Sequence, residues 1–109
     1  MKIDRELLKG TAATLVLAVL ADGPAHGYAL AQRIRGRTGG LWSLGEGTLY
    51  PLLYNLEDRG WIRGVWETGV GKRRRRVYSV TPKGHQQLAD RKAQWQTLVT
   101  GMTLALGGA

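Results

Sequence analysis

Lys72-Arg73-Arg74-Arg75-Arg76 places five cations side by side, the densest cluster of charge in the chain. Neighbouring like charges repel, and a polyanion laid against them relieves the cost. A solvated edge strand protected from aggregation by its charge is the structural alternative. The whole chain leans the same way, with sixteen Lys and Arg against eight Asp and Glu and a formal charge of +8. Because the excess is concentrated at 72–76 instead of spread along one helical face, nucleic-acid phosphates are a better match than an anionic membrane surface. Thr48, Tyr50, Tyr54 and Asn55 form a second group. Their hydroxyl and amide groups can bond phosphates or base edges, and the Thr methyl can touch a thymine methyl. A third cluster, His26-Gly27-Tyr28, offers phosphate contacts from His26 and Tyr28, with helix capping and core packing as the plainer roles.

Other chemistries fail on residue type or spacing. The absence of Cys removes disulfides, thiolate metal sites and thiol catalysis, and fits a reducing cytoplasm. Two histidines far apart in sequence, His26 and His85, make no metal site. Gly45-Glu46-Gly47 has too few glycines for a dinucleotide loop, and Gly71-Lys72 lacks the upstream Gly and the Ser/Thr of a P-loop. No Ser-His-acid or paired-carboxylate grouping stands out, so no catalytic residue and no cofactor are expected. The apolar run Ala12–Ala21 is about half of the ~20 residues a membrane span needs. Asp4 and Glu6 spoil it as a signal peptide.

The elements that must position these groups follow from periodicity. Asp4 is a candidate N-cap, and Leu7, Leu8, Ala12, Leu15, Val16, Val19 and Leu20 recur at helical spacing until Gly23-Pro24. Between Leu15 and Leu20 apolar residues run nearly all the way round, so this first helix should be covered on more than one side, one covering coming from a second subunit. A short helix is predicted from His26 to Arg37, ended by Gly39-Gly40, then a brief strand over Leu41–Leu44. Glu46 to Arg59 reads as a third helix with Leu49, Leu52, Leu53 and Leu56 inward and Gly60 at C′. Pro51 must remove one of its hydrogen bonds. Trp61–Glu67 and Arg73–Val80 have strand character around the turn residues 68–71, giving a hairpin with a basic second arm. Thr81-Pro82 opens a last helix to about Leu106, with Leu88, Trp95 and Met102 seven apart.

This order is mainly α with a small β-hairpin: a winged helix-turn-helix over 1–80 plus a C-terminal dimerisation helix over 81–109, forming one compact domain. In such an arrangement the third helix enters the major groove and the wing reaches backbone or minor groove. A dimer is expected through Leu88, Trp95, Leu98, Val99 and Met102, with Leu7 and Leu8 of the first helix, because such a stripe is larger than a small monomer tolerates in water. Trp95 near the two-fold axis, with Leu15 and Leu88, is a candidate site for a planar hydrophobic ligand; plain interface packing is the alternative.

The segments LAVLADGPAHGYALAQRIR (17–35), LGEGTLYPLLYNLEDRG (44–60) and GKRRRRVYSVTPKG (71–84) together resemble the PadR family of bacterial transcriptional regulators, in its small form with a single C-terminal helix. The resemblance implies a homodimeric repressor, the C-terminal helix of one subunit packed on the N-terminal helix of the other. It further implies a palindromic double-stranded operator and release by a small hydrophobic or aromatic effector, multidrug-sensing relatives carrying a Trp at the position of Trp95. Two departures stand out: Gly45 replaces a helix-capping Ser, and Val77 a Tyr. The competing readings are a winged helix that docks another protein and an RNA-binding domain. The second lacks the exposed aromatic sheet that stacks bases.

Overall fold

The computed structural model describes residues 10–69, 71 and 74–107. Within them the order is α1 (Ala12–Leu20), β1 (Ala25–His26), α2 (Gly27–Arg37), α3 (Glu46–Asp58), β2 (Ile62–Thr68), β3 (Arg74–Val80) and α4 (Pro82–Ala105). The helices pack over a three-stranded antiparallel sheet of order β1-β3-β2. The basic arm is therefore the central strand, with a neighbour on each side.

The predicted apolar stripes do meet in one core. Val16, Leu17, Val19 and Leu20 of α1, Leu30 and Ile34 of α2, Leu49, Leu53 and Leu56 of α3, Ile62 of β2 and Tyr78 of β3 are all buried. Leu52, Leu15 and Leu88 are half-buried against this cluster. Each fully buried Leu or Ile contributes about 1.5–3 kcal/mol relative to exposure, so the core fixes the angle between α2 and α3 before any nucleic acid is present.

Three local expectations need correction. The first described helix begins at Ala12, not Arg5, since Gly10 has a left-handed φ of 85° that an α-helix does not admit; residues 5–9, with Leu7 and Leu8, lie outside the described residues. Residues 41–44 form no strand. Gly39 and Gly40 both have positive φ, and Thr38 holds the following backbone in a turn, its hydroxyl accepting from Trp42 N–H and its carbonyl from Leu41 N–H. The third strand of the wing comes instead from Ala25–His26, paired with Tyr78 and Val77. Leu88, expected in an exposed stripe, packs partly on the subunit's own core.

α3 runs through Pro51 without interruption, as expected for a helix that loses one bond and keeps its turn. The start of α4 follows the sequence closely. The Thr81 side chain accepts from Gly84 N–H at 3.0 Å, its hydroxyl donates to the Gly60 carbonyl at 2.6 Å, and Pro82 fills the first helical position. Gly84 is buried, and a Cβ there would collide with the Trp61 carbonyl oxygen. The helix thus lies flat on the root of the wing before running outward along a molecule 55 Å in its longest dimension. No helix among the described residues is long and apolar enough to cross a membrane.

Candidate nucleic-acid interface

β3 lies between β1 and β2, so its arginines stand beside both the N-terminus of α2 and the outer face of α3. An open cleft of ≈ 610 Å³ results, lined by His26, Gly27 and Tyr28, by Tyr50, Tyr54 and Glu57 of α3, and by Trp66, Arg74, Arg75, Arg76 and Tyr78 of the wing. All three clusters singled out in the sequence contribute to this one surface. Thr48, Tyr54 and Asn55 are exposed on α3. Tyr28, for which core packing was the plainer role, is 67% exposed. Lys72 and Arg73 lie outside the described residues.

Tyr50 has a different environment from its exposed neighbours. It is half-buried, 6.4 Å from the Tyr54 ring, and its phenol lies against Gly27, where an added Cβ would come within 2.7 Å of the hydroxyl. Gly27 thereby lets the recognition helix approach α2, a pairing between the HGY and TLY segments that neither segment shows alone.

His26 caps α2 through Nδ1, which accepts from Ala29 N–H at 3.3 Å. A neutral ring that accepts at Nδ1 carries its proton on Nε2. That Nε2 is 3.1 Å from Nη1 of Arg75. In that tautomer both atoms are donors, so in a neutral ring the cap and an Arg75–His26 hydrogen bond exclude one another. An oxygen anion placed beside the pair would accept from each, so the geometry suits one phosphate oxygen.

The five cations are not equivalent. Arg74 and Arg75 are exposed, the first with its guanidinium 5.2 Å from the Trp66 ring centre. Arg76 is half-buried and paired with Glu57 of α3. Hydrogen bonding to Glu57 raises the Arg76 pKa above its ordinary value, while burial pushes the Tyr78 phenol up. Glu57, Gly64 and Trp66 did not figure among the residues expected from sequence. Counting the hairpin register back from the turn at 68–71 sets Trp66 opposite Arg73, three residues short of the Arg76 it pairs with, and Glu57 carries no signal of its own. Arg33, Arg35 and Arg37 of α2 are engaged locally, donating to the Gly23 carbonyl, to Ser43 and to Asp22.

On α4, Trp95, Leu98, Val99 and Met102 are 49, 53, 43 and 50% exposed, on one helical face by their spacing. Leu15 and Leu88, expected beside Trp95, are half-buried on the core, and none of the three lines the cleft at the wing.

Residues 16–90 match the transcriptional regulator PadR-like family. A transcriptional regulator of Mycobacterium tuberculosis, Rv3488, is 37% identical over 90 residues, 82% of this chain and 80% of its own length. An uncharacterized 37.1 kDa transposon protein of Streptomyces fradiae is 39% identical over 80% of this chain, which spans only 23% of that protein. The crystal structure of a PadR family transcriptional regulator from Eggerthella lenta superposes with a TM-score of 0.81 at 37% identity, covering 93% of this chain and 86% of that one. With fold, motifs and relatives in agreement over most of its length, the chain belongs to the PadR-like family of transcriptional regulators.

Proposed function

We propose that the protein is a sequence-specific, homodimeric DNA-binding repressor. The observation that carries this reading is the convergence of α3, the capped N-terminus of α2 and the basic strand β3 on one cationic, aromatic-lined surface. In it α3 enters the major groove, Thr48 and Asn55 meet base edges, and Arg74, Arg75 and His26 meet phosphates on the flanking backbone. Binding-site selection from random duplex DNA would supply the operator. Thr48→Ala should then weaken the operator far more than random duplex, by about 1–3 kcal/mol for each base-edge interaction it removes. Equal weakening on both would reduce Thr48 to a positioning role.

The apolar face of α4 supports a second copy as its cover, with two recognition helices then set for a palindromic site. Trp95 in such an interface offers a flat surface to a planar hydrophobic effector. Occupation would release DNA if the ligand favours a spacing of the two wings that misfits the operator. Titration of planar cationic dyes against tryptophan fluorescence tests this: Trp95→Ala should lose the binding while staying folded and dimeric. Unchanged affinity in that variant, or no binding by the parent, leaves Trp95 a packing residue.

A further inference from the structure

We infer that Arg76 is a positioning residue, a strut that fixes the wing to the recognition helix through Glu57, and not one of the phosphate contacts. The inference rests on the DNA-binding reading above and assigns one of its five adjacent cations a separate task.

The register of the hairpin sets up the geometry. Gly64 pairs with Tyr78 and Trp66 with Arg76, so these four residues share one face of the sheet. From that face the Arg76 side chain crosses the position of Gly64 to reach Glu57 on α3. A Cβ on Gly64 would lie 2.5 Å from the Arg76 Nε and 2.9 Å from its central carbon. The missing side chain is the channel through which the strut passes. Aromatic rings flank it: the guanidinium is 5.5 Å from the centre of Trp66 and 6.0 Å from that of Tyr78. Arg76 and Glu57 expose only 28% and 27% of their side chains, whereas Arg37 and Asp22, the other ion pair among the described residues, expose 53% and 59%.

A guanidinium already neutralised by a carboxylate releases no counterion when DNA arrives, so it adds nothing to the salt dependence of binding. Its contribution is to hold the exposed Arg74 and Arg75 at a set distance from the base-reading face of α3. This leads to an expectation opposite to that from charge alone. Glu57 is an anion on the DNA-facing surface, and its removal should tighten binding if it does nothing else. If it anchors the strut, its removal loosens the wing and weakens binding.

The test compares the parent, Glu57→Gln, Gly64→Ala, Arg76→Ala and Arg75→Ala on the selected operator and on random duplex across a salt series. Glu57→Gln and Gly64→Ala should each weaken operator binding about tenfold, the scale of one charge-assisted hydrogen bond. The second does so with no change of charge, at a strand position where Ala is ordinarily the better residue. Arg76→Ala should lose affinity with its salt slope unchanged, while Arg75→Ala flattens its slope. Operator binding by Glu57→Gln as tight as the parent's, or a flattened slope in Arg76→Ala, overturns the strut. Thermal unfolding without DNA supplies an independent readout. The destabilisation from Glu57→Gln and from Gly64→Ala should not add in the double variant, because both break the same ion pair; additive effects overturn the inference even if the parent binds no duplex. A parent that binds no duplex while the unfolding effects are non-additive sinks the DNA reading alone.

Discussion

Leu98→Glu should convert the protein from dimer to monomer and weaken its binding to a two-fold operator by roughly 10²–10⁴-fold, the gain that linkage of two binding modules supplies. Leu98 lies at the middle of the exposed apolar face of α4, flanked by Trp95, Val99 and Met102. In the homodimer proposed above, this apolar face is the surface that the second copy covers. A carboxylate there would have to be desolvated in the dimer without a partner, whereas in the monomer it stays in water. The substitution should spare the fold, because α4 docks on the core through its first turns, where Gly84 is buried and Leu88 half-buried, and Leu98 is far along the helix. Sedimentation velocity with circular dichroism checks both points. A stable monomer in the unmodified protein, or a dimer that survives the Glu, removes α4 as the dimerising surface.

What the sequence showed depended on the range of the interactions that fix each feature. α2, α3 and α4 were legible nearly to the residue because their signals are local: His26, Thr81-Pro82 and Gly60 are caps and stops whose effect acts within one turn. The third strand was misplaced because a two-residue strand has no periodicity of its own. Ala25–His26 is extended only because β3, about fifty residues later, offers it an edge. The cleft was legible as three clusters but not as one surface, since their meeting depends on Gly27 admitting Tyr50 and on β3 being the central strand. The inequality among the five cations was hidden for the same reason. In the sequence Arg74, Arg75 and Arg76 are indistinguishable. Alternation of the strand sets Arg75 on the face opposite Arg74 and Arg76, and on the shared face only Arg76 lies over Gly64 and reaches Glu57.

That inequality sharpens what removal of the free pair should do. In the variant Arg74→Ala/Arg75→Ala, each subunit loses two exposed guanidinium groups, and a dimer loses the neutralisation of about four phosphates. At roughly 0.9 for each phosphate on duplex DNA, the slope of log K against log salt should flatten by about 3.6. The same relation, taken from 1 M to about 0.1 M salt, converts that slope to a loss of more than 10³-fold, on operator and random duplex alike. Preference between the two should change little, because phosphate contacts position the protein and carry no base information. Stability should hold or improve, since two like charges leave a crowded strand and Arg76 keeps its carboxylate. The measurement is a fluorescence anisotropy titration of labelled operator and random duplex at several salt concentrations. Should the slope stay as steep as the parent's, the wing arginines do not meet phosphates. Should the operator lose much more than random DNA, the wing reads bases, and the division of labour between α3 and β3 is wrong.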